Sequence, residues 1–197
     1  MGAVSSYPLD TADATKFLLG TDTAGDVKRF TMGSVKPTRT VRRLTVAHSN
    51  STTTSTTITD GINLWSHTVV AGKTYRFQVA GLHQAAALTT GIRLSILPSG
   101  AVGTVVGRAV GAIAQGSVAT GLAAGLFAVA TSTTVWPVGS TLLTTGVGVI
   151  NSPHDCTMDF LYTCTTSGTL AIQFASEVAA SAAQMNIGSM LVVDELI

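Results

Sequence analysis

The chain has 197 residues, 46% of them hydrophobic and only 11% Asp, Glu, Lys or Arg, where a typical soluble domain carries roughly a quarter. That length suits one core plus an appendage and excludes two full-sized domains. So little charge argues against an isolated soluble monomer, and a net charge of +1 argues against a mainly nucleic-acid-binding role.

Residues 1–37 have few large apolar side chains and little sustained period, so they cannot hold a core of their own. Their one pattern is Phe17-Leu18-Leu19-Gly20, a turn-like Asp22-Thr23-Ala24-Gly25-Asp26, and Val27-Lys28-Arg29-Phe30-Thr31. This spacing predicts a small hairpin that is stable only if another chain covers its apolar side chains. On that reading Phe17, Leu18, Leu19, Val27 and Phe30 bury against a partner, and Lys28 and Arg29 meet acidic groups. The chain is basic here: up to Arg43 seven Lys and Arg face four Asp (+3), and beyond it four face six (−2). The order LLGTD-AGDVKRFT is similar to N-terminal segments by which phage fibre proteins fasten to the virion, which implies an attachment arm.

A sandwich is expected from about Thr38 onward. Val41, Leu44 and Val46, interleaved with Arg39, Arg42 and Arg43, predict an opening strand. The low-complexity tract from Ser49 to Gly61 reads as an exposed loop running into a strand over Ile62 to Val70. Lys73 to Ala80 places Tyr75, Phe77 and Val79 inward against Arg76 and Gln78. Gly91 to Leu97 does the same with Ile92, Leu94 and Ile96 against Arg93 and Ser95. The stretch from Ala109 to Ala130 carries no charge over 22 residues, long enough to invite a transmembrane reading. Gln115, Ser117, Thr120 and four glycines lower its hydropathy, and it has no interfacial anchors beyond Arg108, so it reads as weak strands or a short helix against a subunit neighbour. Thr133 to Trp136 and Leu142 to Ile150 complete the run before the last elements.

The clearest alternation is C-terminal. Met158, Phe160 and Tyr162 share one parity, and after the turn-forming Thr165-Thr166-Ser167-Gly168 the pattern resumes with Leu170, Ile172 and Phe174 against Thr169, Gln173 and Glu177. This predicts a hairpin with one core face, followed by a strand over Ser189 to Leu196. The order SGTL-IQFASEVA-SA, then a Gly-Ser lead into an apolar C-terminal strand, resembles the end of a β-sandwich module common in structural proteins of tailed bacteriophages.

Sites of chemistry are scarce. Ala71-Gly72-Lys73-Thr74 resembles the end of a phosphate-binding loop, but His67 stands where its first glycine belongs, so a hairpin turn is expected. His48, His67, His83 and His154 lack metal spacing. Cys156 and Cys164 lie eight apart on one strand, roughly 26 Å, too far for a disulfide, and are expected reduced and buried. Asp155 and Asp159 have no partner acid nearby, and Asn50-Ser51-Thr52 is a glycosylation sequon only in a secreted eukaryotic protein. Lys28, Arg29, Lys36, Arg39, Arg42 and Arg43 are spread too widely, with only Phe30 as an aromatic, to support nucleic-acid binding. Trp65 is the candidate aromatic platform for a glycan, with Trp136 read as packing. No charged segment followed by an apolar one opens the chain, so no secretory signal is expected.

The reading is therefore all-β: a jelly-roll-like β-sandwich over 38–197 preceded by an extended N-terminal arm over 1–37. With the resemblance it implies a non-enzymatic tailed-phage virion protein, a fibre or decoration protein assembled in the host bacterial cytoplasm and anchored to capsid or tail by its arm. The alternative is a receptor- or glycan-binding module on the virion surface. The expected partners are further copies of itself, most simply as a trimer, and other virion proteins, with a host glycan as an option and neither membrane nor nucleic acid. No cofactor, metal or catalytic residue is expected.

Overall fold

The structure, a computed structural model, describes residues 17–21, 27–31, 38–115, 118–131 and 146–196. The chain divides into two units, Met1–Thr38 and Arg39–Ile197. In the first, β1 (Phe17–Thr21) and β2 (Val27–Thr31) pair antiparallel over five positions, at the segments the sequence marks for a hairpin.

Every regular element described in the second unit is a strand: β3 (Arg39–Arg43), β4 (His48–Asn50), β5 (Thr56–Thr57), β6 (Ser66–Val69), β7 (Thr74–Ala85), β8 (Ile92–Ser99), β9 (Val102–Gln115), β10 (Val118–Thr131), β11 (His154–Thr166), β12 (Gly168–Ser176), β13 (Ala183–Met185) and β14 (Met190–Glu195). They form two antiparallel sheets. In the larger, β7 is the spine. It has β11 on one side, and on the other β14 up to Ala80 and β13 from His83 to Ala85. β3 flanks β14, β4 flanks β13, and β9 then β10 extend the sheet beyond β11. In the smaller, β12 lies between β8 and the short pair β5 and β6.

The pairing is nested. The first strands pair with the last (β3 with β14, β4 with β13), the next inward β5 and β6 with β12, and then β7 with β11. This is the order of a jelly roll. Closing the nest would pair β8 with β9, but β9 instead joins β11 and starts the β9–β10 extension.

The core follows from period two. Tyr75, Phe77 and Val79 of β7, Met158, Phe160 and Tyr162 of β11, Ile92, Leu94 and Ile96 of β8, and Leu170, Ile172 and Phe174 of β12 are all buried in one cluster. Cys156 and Cys164 are buried free thiols on β11, as their spacing requires.

Several expectations are corrected. β11 and β12 are not a hairpin but lie in different sheets. Both sides of each are already taken, β11 by β7 and β9, β12 by β8 and by β5 and β6. Gly168 makes the crossing feasible, because a Cβ there would collide with the backbone of Ala101 and Gly100. The turn at Ala71-Gly72, where Gly72 has φ of +81°, likewise links β6 to β7 across the two sheets rather than closing a hairpin. The tract from Ser49 to Gly61 contains β5 and the fully buried Ile58. The following strand starts at Ser66, not Ile62, since residues 60–63 are held in a turn.

Val41 and Val46 are exposed, and of that trio only Leu44 reaches the core. Ser95 and Gln173 are buried although they lie on the other parity from the core residues. The described parts of Ala109 to Ala130, 109–115 and 118–130, lie in β9 and β10, so the strand alternative holds over the helix there, and no described helix is long and apolar enough to cross a membrane. Thr133 to Trp136 lies outside the described residues, and the described part of Leu142 to Ile150 forms no strand.

Candidate functional site

The first candidate surface is the hairpin of the N-terminal unit. Its register opposes Phe17 to Thr31, Leu18 to Phe30, Leu19 to Arg29, Gly20 to Lys28 and Thr21 to Val27. Successive ladder positions alternate between two sets. Leu18, Gly20, Lys28 and Phe30 fall in one set, and Phe17, Leu19, Val27 and Arg29 in the other. The five apolar residues and two cations expected to meet a partner are thus collected on two short paired strands but divided between both sets, not gathered on one.

In the sandwich several residues with chemical potential are committed to structure. Asp159 accepts two hydrogen bonds from Arg76, from Nε at 3.0 Å and Nη2 at 2.7 Å, and this guanidinium holds its carboxyl below the usual range. Asp155 is exposed four residues along the same strand. Arg39 binds Asp194 through Nε at 2.6 Å and Nη2 at 3.0 Å, tying β3 to β14, and Lys73 Nζ meets Glu195 at 2.8 Å. Along β3, Arg39 and Arg43 are exposed while Arg42, of opposite parity, is half-buried, so the three arginines form no single basic face. Among the described residues no three His, Cys, Asp or Glu side chains converge closely enough to hold a metal ion.

One reading based on a single residue changes. Trp65 is 0% exposed and belongs to the core cluster. Its main-chain N–H donates to the Ile58 carbonyl and its main-chain carbonyl accepts from Ile172 N–H, and with the side chain buried it cannot serve as an open stacking platform. Trp136 lies outside the described residues. Asn50, the sequon residue, is buried, and its amide donates to the carbonyls of Thr54 and Phe174 and to Thr56 Oγ1 while its Oδ1 accepts from Thr52. It clamps the loop to β12 instead of offering itself to solvent.

A second candidate surface was not marked by the sequence reading. Asp60 accepts hydrogen bonds from Thr45 N–H at 2.7 Å and Oγ1 at 2.6 Å, from the N–H groups of Ile62 and Asn63, and from Asn63 Nδ2. These donors push its carboxyl far below the ordinary value. The turn they build holds Ile62 86% exposed, with Leu64 and Val46 also exposed beside it. Main-chain bonds between Leu44 and the Gly188–Ser189 turn bring the loop carrying exposed Ile187 alongside. Four apolar side chains are thus displayed on short, tied loops, an arrangement suited to contact rather than catalysis. The Asp60-Gly61 pair was the available signal, since Asx turns of this type start at Asp before Gly.

The outer face of the large sheet carries a shallow open concavity lined by Gln78, Ala80, Arg108, Thr157, Asp159 and Met190. Within it Asp159 is already engaged by Arg76, and no second carboxylate lines it.

No protein-family model and no curated protein matches this chain. Among solved structures it is similar to the infectious bursal disease virus VP2 subviral particle, with 13% identity and a TM-score of 0.25, covering 98% of this chain and 50% of that one. It is also similar to the infectious bursal disease virus Gt strain structure, with 16% identity and a TM-score of 0.18, covering 98% of this chain and 46% of that one. The chain spans about half the length of each.

Proposed function

We propose that this chain is a non-enzymatic structural protein of a virion, and specifically a tailed-phage fibre or decoration protein fixed to capsid or tail by its N-terminal hairpin. The observation that carries the reading is the nested jelly-roll pairing of the second unit, joined to a separate unit whose short hairpin concentrates Phe17, Leu18, Leu19, Val27, Lys28, Arg29 and Phe30. A two-stranded ribbon of five-residue strands does not sustain itself in water. Its five apolar side chains contribute about 1.5–3 kcal/mol each when buried, and a partner supplies the cover. The low charge content fits a surface partly enclosed by copies of itself, as in a trimer. Commitment of Asp60, Asp159, Asp194 and Glu195 to a turn and ion pairs leaves no two free carboxylates shown together, which argues against hydrolytic chemistry there.

A glycan-binding role draws less support, because the one tryptophan described is internal. Comparing particle incorporation of the full chain with that of a chain starting at Thr38 tests the reading. The truncated chain is expected to fold and self-associate yet fail to load onto particles; wild-type occupancy would place attachment on the sandwich instead.

A further inference from the structure

One row of the large sheet crosses four strands in register: His48 on β4, Met185 on β13, His83 on β7 and His154 on β11. His83 is 0% exposed, and neither ring nitrogen makes a well-formed hydrogen bond, the main chain of His154 being its one polar neighbour of that kind. Its ring lies 5.8 Å from that of His154, whose Nε2 is 3.0 Å from the Val149 carbonyl. A buried polar ring without well-formed hydrogen bonds is costly to keep, and a charged one is far more so.

Little around His83 compensates a charge: the main chain of His154 favours the charged ring, but burial and the His154 side chain oppose it. From β11 it faces His154 and Cys156, the latter a thiol whose burial pushes it up to about 12. From β13 it faces Met185, with His48 beyond, whose Nδ1 accepts the Thr59 N–H at 3.0 Å. Ile92, Leu94, Ile172, Phe174 and Ser176, on the inner faces of β8 and β12, are buried and carry no charge. Asp155 is exposed on the opposite parity of β11, at the register position of Leu82. Among the described residues no carboxylate faces the ring.

We propose that His83, packed against His154, is an acid-released catch: neutral, it lets β13 and β4 close on the end of β7, and protonation of His83 drives that end of the sandwich open. The strands at stake are short. β13 and β4 have three residues each, held by three register pairs to each neighbour, so this end opens before the long β7–β11 ladder does. Burial and the neighbouring His154 lower the His83 pKa to about 4. Closure therefore holds fully above the ordinary histidine value and weakens as pH falls from it toward about 4.

Hydrogen exchange on the full chain, corrected for intrinsic rates, tests the catch. Going from neutral pH to about pH 5.5 should raise opening of 48–50 and 183–185 about tenfold, approaching 100-fold near about pH 4.5, while β8 and β12 stay protected. His83→Leu should abolish this response. An unchanged response in that variant, or equal acceleration in β8 and β12, overturns the proposal. Should His83→Leu not fold, proton NMR titration of the unmodified protein decides: a His83 ring that stays neutral to below about pH 5 supports the catch, and one titrating near the ordinary value of about 6.5 overturns it.

Discussion

The rings of Phe77 on β7 and Phe160 on β11 stack face to face, centroids 4.8 Å apart and planes 2° from parallel. They are direct partners in the β7–β11 register, and both are buried. Phe160→Ala should therefore cost about 3–5 kcal/mol in chemical denaturation. A double-mutant cycle with Phe77→Ala should return about 0.5–1.5 kcal/mol of coupling. Coupling indistinguishable from zero would mean that the stack adds nothing beyond burial.

Trp65→Phe should broaden the thermal transition and lower its midpoint, and Trp65→Ala should cost about 3–5 kcal/mol, because the indole is internal. Emission of the Trp65 indole, isolated by replacing Trp136, should be blue-shifted and poorly quenched by iodide. Ready quenching would restore it as a surface platform.

Gly107 on β9 sits against Phe160 so closely that an added Cβ would strike Phe160 and the Asp159 carbonyl, and at Gly103 a Cβ would lie 2.6 Å from Tyr162 Cζ. Gly107 makes room for the Cα and Cβ of Phe160 and Gly103 for the Tyr162 ring, both in their own chain. Gly107→Ala should then destabilise the fold by about 1–3 kcal/mol as overpacking, visible in the isolated protein whatever its oligomeric state by light scattering. A change in association with unchanged unfolding would assign Gly107 to a subunit contact.

Asp60→Ala should free the 45–46 and 60–64 loops, seen as faster exchange of the Thr45, Ile62 and Asn63 amides and a lower melting temperature. The carboxyl is depressed in the folded chain, so its contribution is present above the ordinary carboxylate value near about 4 and is lost as pH falls below it. In wild type those amides should loosen in acid. In Asp60→Asn they should be loose at neutral pH and change little on acidification; a wild-type pH response in that variant would point to another group.

Sequence alone determined the inward-facing parity of the long strands. Alternation in Tyr75-Phe77-Val79, Ile92-Leu94-Ile96 and Met158-Phe160-Tyr162 reports directly on burial, because side chains along a strand point to opposite faces with period two. It also marked the two strands of the N-terminal hairpin and the all-β class. What it left undecided is which strand lies beside which: β11 and β12 follow one another through Gly168, yet the fold sends them to different sheets, since hydrogen bonding along a strand edge is nearly blind to side-chain identity. Trp65 shows the same limit. An aromatic beside a loop reads equally as platform or core, and only packing of Ile58 and Ile172 around its backbone decided for the core. The row of His48, Met185, His83 and His154 was likewise invisible along the chain. Four residues from four distant segments become neighbours only when the nested pairing sets their registers.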